Sequence, residues 1–488
     1  MTHIYSESNK YKSFVLLYVV FSFMVVYNIM TISSVSNLLL TIIQYSLVLF
    51  YLLKGDIRKS VLFHFVFAAL SLSAQGTLGM MDSQDFSLYN YAGIKLIGPV
   101  RACYAMNILY VICLTNPIYK FNKQLLFYRL FRTMLILCIS ASAIGLIGLL
   151  FNPYYSYDSF IGYGIYAFVV ITSMYILLKV ANNQFIYEAY HYFLAALMAG
   201  IAGSFVCYFF GGVISHYSAY DIAYLADITI LAPALIVGIP SIRQKGLLWL
   251  SLLLYGVLIL TTMGGKSVFA FAFSFGALAY LFYFDKSTKR YLQRKEKILR
   301  PFVIIVGIGV VYYVLRNVSS DSMASYKFNS ALSMFSGNIS DMSSSPYIRV
   351  ASLINILNDG LSNPLALLFG NGYGGYFEDK LGLFAGFDLS NGAWSDQVIS
   401  TGRFTSGHDA LVSVPLFNGL VGLFLLLKAC WEHIKRIPFN YLNSVAFLWI
   451  VLMFYFNTNY AFIGLFALIG AEYDLLETRR FSNDAIIG

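Results

Sequence analysis

Uninterrupted apolar runs of roughly 16–22 residues recur about a dozen times along this chain, each long enough to cross a hydrocarbon core as a helix. They lie near 14–31, 36–53, 60–80, 96–115, 130–151, 160–180, 189–211, 222–240, 246–263, 267–284, 301–315, 410–428 and 442–471. The last is too long for one upright helix, and Asn457-Thr458-Asn459 interrupts its middle, so two short spans are expected there. A transmembrane β-barrel would instead show strands of alternating polarity. Composition agrees, with 59% hydrophobic and 11% charged residues, far from the averages of a soluble domain.

The expected fold is therefore an all-α polytopic membrane protein of about 12–14 transmembrane helices, with one large extracytoplasmic loop containing short helices. Residues 1–315 should hold spans 1–11, 316–409 the large loop on the periplasmic side, 410–471 the C-terminal spans and 472–488 a short tail. Lys10 and Lys12 precede the first run like the basic end of a signal peptide, but no small-residue cleavage site follows. That run is read as an uncleaved span with the N-terminus cytoplasmic. The cysteines Cys103, Cys113, Cys138, Cys207 and Cys430 fall in or beside spans without metal-like spacing, and read as apolar filler.

Charge sets the orientation. Of 32 Lys and Arg, about 24 lie in alternate connections, including Lys54/Arg58/Lys59, Lys120/Lys123/Arg129/Arg132, Arg243/Lys245, "DKSTKRYLQRKEKILR" and Lys435/Arg436, which marks that side as cytoplasmic. This topogenic role accounts for the net charge of +9 without nucleic acid as a partner. The others, Lys95, Arg101, Lys266, Arg316, Lys327, Arg349, Lys380 and Arg403, gather on or near the opposite face. Arg101 falls within a predicted span, where an arginine costs about 2.5–3.5 kcal/mol on insertion scales. A wet cavity or an anion would relieve that cost. Cations at helix ends are also explained by snorkelling, but several on one face favour an anionic substrate.

Between Arg316 and His408 lies the longest hydrophilic stretch, and loops of that length are commonly functional. Within it, "SSSPYIRVASLINILNDG" reads as a helix with Ser345 as N-cap, Pro346 at the first helical position and Gly360 at its end. Val350, Leu353, Ile354, Leu357 and Leu361 form its apolar stripe. Arg349 stands in the first turn, where the helix dipole disfavours a cation unless an anion is present. Amides at a helix start beside a forked guanidinium suit phosphate or pyrophosphate. Further on, "LLFGNGYGGY" has no preceding strand or βαβ frame, and reads as a flexible or substrate-facing turn rather than a dinucleotide fingerprint. Tyr373, Tyr376, Phe377 and Trp394 are candidates to stack on sugar faces.

The loop ends at "TSGHDALVSVPLFNGLVG", residues 405–422. On a regular helix His408, Pro415 and Gly419 share a stripe with Gly422 nearby, which describes a closely packed inner helix with a proton acceptor at its mouth.

These residues carry a resemblance. His408-Asp409 followed by Gly419 and Gly422 resembles the signature of the bacterial O-antigen ligase and O-antigen polymerase superfamily. Arg349 followed by Leu353 resembles that family's Arg–Leu pair in its large periplasmic loop, and "TTMGGKSVFAF" resembles a segment where a small-residue turn and a basic residue open a span. The motifs concentrate between residues 261 and 422. Asp409 stands where the family usually has Asn, Ser or Gln, and Lys266 where it usually has Arg, which removes bidentate geometry at an anion contact.

The resemblance implies a metal-independent, cofactor-free glycosyltransferase of the inner membrane, acting on undecaprenyl-diphosphate-linked oligosaccharide at the periplasmic face. A chain-length regulator is an expected protein partner beside membrane lipid. His408 is then the candidate base for the acceptor hydroxyl, or else a donor to the leaving diphosphate, and Arg349 a catalytic partner. Arg403, Arg101, Lys266 and Arg316 would hold the diphosphate, and Asp409 would orient the histidine. Polymerase is favoured over ligase by analogy with other long, Phe- and Tyr-rich polymerases. A lipid-linked oligosaccharide flippase remains the alternative of another class, although no internal repeat is visible.

Overall fold

A computed structural model describes residues 2–30, 35–70, 91–97, 100–214, 245–262, 344–385, 394, 396–407, 410–436, 462 and 464–476. It is mostly helical. In chain order the elements are α1 (Thr2–Met30), α2 (Val35–Leu53), α3 (Ile57–Leu70), β1 (Lys95–Ile97), β2 (Val100–Arg101), α4 (Ala102–Cys113), α5 (Tyr128–Phe151), α6 (Tyr157–Val180) and α7 (Asn183–Ile214). There follow α8 (Lys245–Thr262), α9 (Ser344–Ser362), α10 (Pro364–Phe369), β3 (Phe377–Glu378), α11 (Asp396–Thr401), β4 (Arg403–Phe404), α12 (Ala410–Ile434) and a last helix, α13, over 464–476.

Among the described residues four helical stretches are long and apolar enough to cross a membrane: Tyr128–Phe151, Tyr157–Val180, Asn183–Gly203 and Ala410–Ile434. The expected spans at 36–53, 130–151, 160–180, 189–211 and 246–263 coincide with helices to within a few residues at most boundaries. Those at 222–240, 267–284 and 301–315 lie outside the described residues. α1 begins far ahead of its apolar run, because residues 2–13 contain neither Pro nor Gly to stop a helix already nucleated. The C-terminal boundary also moves: α13 continues to 476, where Tyr473 stacks on Tyr190 at 4.0 Å and the Glu472 carboxylate accepts the Leu126 amide.

The span expected at 96–115 is corrected. Its first residues are a two-stranded hairpin in which Lys95 pairs with Arg101. Only Ala102–Cys113 is helical, about 18 Å long and too short to cross about 30 Å of hydrocarbon. Gly98-Pro99 explains the change, since proline has no amide for a helix and restricts its predecessor to extended backbone. Arg101 is thus placed at the start of α4, where its guanidinium donates to the Ala92 carbonyl at 3.1 Å.

α5 stops before Pro153 for the same reason, and the Asn152 side chain accepts the Tyr154 amide to form the turn. Ser156 then caps α6, with Asp158 in the first turn and Lys179 in the last, both favourable to the helix dipole. α1 lies along α7, where Gly203 leaves the space occupied by Val25.

A buried polar network joins α3, α4 and α6. Asn107 donates its amide to Thr172 and Ser173, both at 3.0 Å, so its carbonyl accepts from His64 Nε2 at 2.9 Å. His64 Nδ1 is left to accept from the Tyr91 hydroxyl at 2.7 Å, which makes the ring neutral. Every polar atom of the ring and amide has a partner, as apolar surroundings require.

The connections rich in Lys and Arg meet at one end of the bundle. Arg58 donates to the Val180 carbonyl, Asn122 to Leu178 and Ala181, and Arg129 pairs with Glu432 at 3.0 Å. The opposite end carries the α5–α6 turn, the β1–β2 hairpin and the segment 344–407.

Candidate functional site

The described residues of 344–407 form a cap hung on α5, α6 and α12, and its anchor is the glycine-rich segment. The backbone of α12 is not helical at Gly419 (φ 64°, ψ −169°), four residues after Pro415. The carbonyls of Leu416 and Phe417, which a regular helix would pair with the amides of Leu420 and Val421, accept instead from Asn371 (2.7 Å) and Gly372 (3.1 Å). The Tyr373 amide donates to Ala141 in α5 (2.9 Å), and Gly374 accepts the Ser156 amide at the head of α6 (2.9 Å). The Asn418 side chain bridges back to Leu137 (2.8 Å) and Ser140 (3.1 Å). Irregular backbone inside an apolar bundle is tolerated where protein groups satisfy it in this way.

The close approach demands glycine on both sides. A Cβ on Gly145 would lie 2.2 Å from the Tyr373 carbonyl oxygen, and one on Gly419 would lie 2.3 Å from Leu368 backbone. Gly145 is six residues before the end of α5 and Gly419 nine after the start of α12, so this segment descends about 10 Å below the helix ends. Residues 370–375 of "LLFGNGYGGY" are therefore a largely buried re-entrant turn, which corrects the expectation of a flexible or substrate-facing one, while Leu367, Leu368 and Phe369 end α10, the last two of them exposed. As expected, another helix approaches closely at Gly419, namely α10, but the helical register breaks there, so Gly422 leaves the stripe and the space beside it is filled by Asn418 and Leu137; His408 lies outside the described residues.

Above this anchor α9 runs Ser344–Ser362, starting two residues before Pro346, its expected first position, and continues past Gly360 until Asn363 caps α10 with Pro364 at its first position. Its buried face is Ile348, Ala351, Ser352, Asn355 and Ile356, offset from the expected apolar stripe, of which Ile354 and Leu361 are exposed. Polar groups hold the following turn. Asp379 accepts from the amides of Leu383 and Phe384 and from the Asn355 side chain, while Asp359 accepts the Glu378 amide and pairs with Lys380 at 2.7 Å. Hydrogen bonding to Asp359, with its negative charge, raises the Lys380 pKa. Lys380 thus has a structural partner and needs no ligand to explain it.

β3 and β4 pair antiparallel, Phe377 opposite Phe404 and Glu378 opposite Arg403. One face of this ribbon packs Phe377, Phe404, Phe384 and Trp394 into a small aromatic core. Of the four aromatics expected to stack on sugars, Tyr373, Phe377 and Trp394 are buried, and only Tyr376 is partly open. On the ribbon's other face the Arg403 guanidinium lies 3.7 Å over the Tyr154 ring and 5.7 Å from Tyr376. Its Nε is 3.6 Å from the Glu378 carboxylate. Tyr155, beside Tyr376, donates its hydroxyl to the Asn371 carbonyl, and burial raises its pKa. Sequence reasoning missed Tyr154 and Glu378, because neither carries a signal until the ribbon brings them to Arg403.

The expected site residues are therefore distributed as follows. Arg349 is the sixth residue of α9, in its second turn rather than the expected first, and is half-buried. Arg403 is tied to the other end of that helix through Glu378 and Asp359, about 15 Å along the axis from Arg349. Arg101 lies at the start of α4 in the β1–β2 hairpin. Lys266, Arg316, His408 and Asp409 lie outside the described residues. Their neighbours Gly407 and Ala410 are described, and a Cβ on Gly407 would lie 2.7 Å from Ser413 Oγ, close against the first turn of α12. Among the described residues no three His, Cys, Asp or Glu cluster at metal-holding distance.

No known family, curated protein or solved structure matches this chain.

Proposed function

We propose that this protein is a membrane-embedded glycosyltransferase that polymerises undecaprenyl-diphosphate-linked oligosaccharide repeat units at the periplasmic face of a bacterial inner membrane. The observation that carries the reading is the cap: α9 with Arg349, the ribbon with Arg403 and the head of α12 just after His408 are held at one end, opposite the cation-rich connections. By the positive-inside rule that end is extracytoplasmic. The anchored glycine segment supports the same reading, because a site for a lipid-borne substrate needs a rigid base.

In this chemistry a hydroxyl of the acceptor glycan attacks the anomeric carbon of the donor. His408 takes the hydroxyl proton, the new glycosidic bond forms, and the bond from that carbon to the diphosphate oxygen breaks. The lipid diphosphate leaves with the bonding electrons, and Arg349 stabilises the charge that develops on it. Lys266, Arg316 and Arg101 are secondary candidates for the same anion, and Asp409 for orienting the histidine.

Purified protein in liposomes, supplied only with undecaprenyl-diphosphate repeat units, is expected to build long lipid-linked chains with no added energy source. A ligase would stay silent until lipid A-core was added, and a flippase would move substrate across the bilayer without forming a bond. Transbilayer movement without chain growth would reject the proposal. In the same assay Arg349→Lys should lose most activity, since an ammonium cannot form the planar fork to phosphate oxygens. Wild-type activity in the lysine variant, with nearly as much in the alanine variant, would remove Arg349 from the mechanism.

A further inference from the structure

Arg403, Glu378, Tyr154 and Tyr376 form a group that the diphosphate chemistry does not use well. We propose that they are a platform for a neutral pyranose ring of the acceptor glycan, rather than a clamp for the diphosphate; this rests on the glycosyltransferase reading above.

Charge is the first argument. Arg403 faces Glu378, Lys380 is paired with Asp359, and the Asp379 carboxylate is held by two amides and Asn355. Among the described residues this group holds two cations and three carboxylates, which disfavours a diphosphate and leaves a neutral polyol unaffected.

Hydrogen-bonding geometry is the second. Among the described residues the Arg403 Nε has no hydrogen-bond partner, and the nearest Glu378 oxygen, at 3.6 Å, is beyond a direct bond. The Nε itself is closed to solvent, but the two side chains are 33% and 38% exposed, so a ligand hydroxyl can meet the pair at its open edge, accepting from the guanidinium and donating to the carboxylate. Water and sugar hydroxyls have this dual character, whereas a phosphate oxygen can only accept and would face the carboxylate.

The rings are the third. Tyr154 is 53% exposed, and one face of it carries the Arg403 guanidinium. Its other side can receive the C–H face of a pyranose. Tyr376, anchored by the Tyr155 contact and half-buried, sets the edge of the platform. Arg403 stands five residues before His408 in sequence, on the strand of the ribbon that precedes α12.

The test uses full-length protein in nanodiscs and two probes: inorganic pyrophosphate, and the repeat-unit oligosaccharide released by mild acid from the carrier lipids of the cells that make this protein. Saturation-transfer NMR should show the oligosaccharide bound to the wild type. Tyr154→Ala and Glu378→Gln should each weaken that binding roughly tenfold, with Tyr154→Phe close to wild type and pyrophosphate binding unchanged in all three. Unchanged melting temperatures establish that the variants are folded. Oligosaccharide binding that ignores Tyr154→Ala, or pyrophosphate binding lost on Arg403→Gln, would overturn the platform. Chain growth in the liposome assay together with either of these results rejects the platform alone. Oligosaccharide binding with the expected losses, but no chain growth by the wild type, rejects the polymerase reading and keeps the platform.

Discussion

His408→Ala is expected to leave an inserted protein that extends glycan about 10²–10⁴-fold more slowly, the usual loss when a positioned general base is removed. The acceptor hydroxyl must lose its proton as it attacks, and within the segment 344–409 His408 is the only histidine. Cells carrying the variant should display single-repeat glycans in place of a ladder of chain lengths. His408→Gln separates the chemical role from a structural one, because glutamine retains hydrogen bonding but cannot accept the proton, and it should be as inactive as alanine. The Gly419 break and the 370–375 anchor are made by other residues, so both variants should melt as the wild type does. Wild-type ladders at wild-type protein levels would remove the histidine from the mechanism.

The largest structural effect is expected at the cap's anchor. Gly419→Ala places a Cβ 2.3 Å from the backbone of Leu368 and forces a non-glycine residue to φ 64°. Overpacking costs about 1–3 kcal/mol and this essentially glycine-only backbone conformation, with φ positive and ψ near 180°, about 1–3 kcal/mol, so a loss of about 2–6 kcal/mol is expected. Gly145→Ala meets the Tyr373 backbone at 2.2 Å without a positive φ and should lose the steric part alone. Two controls bracket these: Gly382→Ala has φ +65° and open space, and Gly246→Ala has open space within a helix. Gly246→Ala should be neutral or slightly stabilising. In thermal melts and limited proteolysis the order of damage should be Gly419, then Gly145, then Gly382, with cleavage appearing first between 344 and 407. Wild-type behaviour of both anchor variants would show that the cap is not held by this contact.

The two experiments act at different levels. Losing the anchor should abolish activity by releasing Arg349 and Arg403 from their positions, together with a change in protease pattern. Losing His408 should abolish activity with the pattern intact.

The sequence determined by itself that this chain is mostly helical with membrane-crossing helices, because an apolar run of about 20 residues has few other ways to satisfy its backbone away from water. It located α2, α5, α6, α8 and α9 closely, since each is bounded by local chemistry such as Pro153, Ser156 or the Asn363-Pro364 cap. It misread Arg101, where Gly98-Pro99 outweighed apolar character, and it misread the glycine segment. What "LLFGNGYGGY" does depends on Ala141 and Gly145, about 230 residues earlier, and on carbonyls freed by a break in α12 about 45 residues later. Only the tertiary structure brings those donors and acceptors together, and only it sets Tyr154 and Glu378 beside Arg403. Helices follow from contacts between near neighbours in the chain, whereas the anchor and the candidate sugar platform follow from groups whose separation along the chain carries no periodic signal.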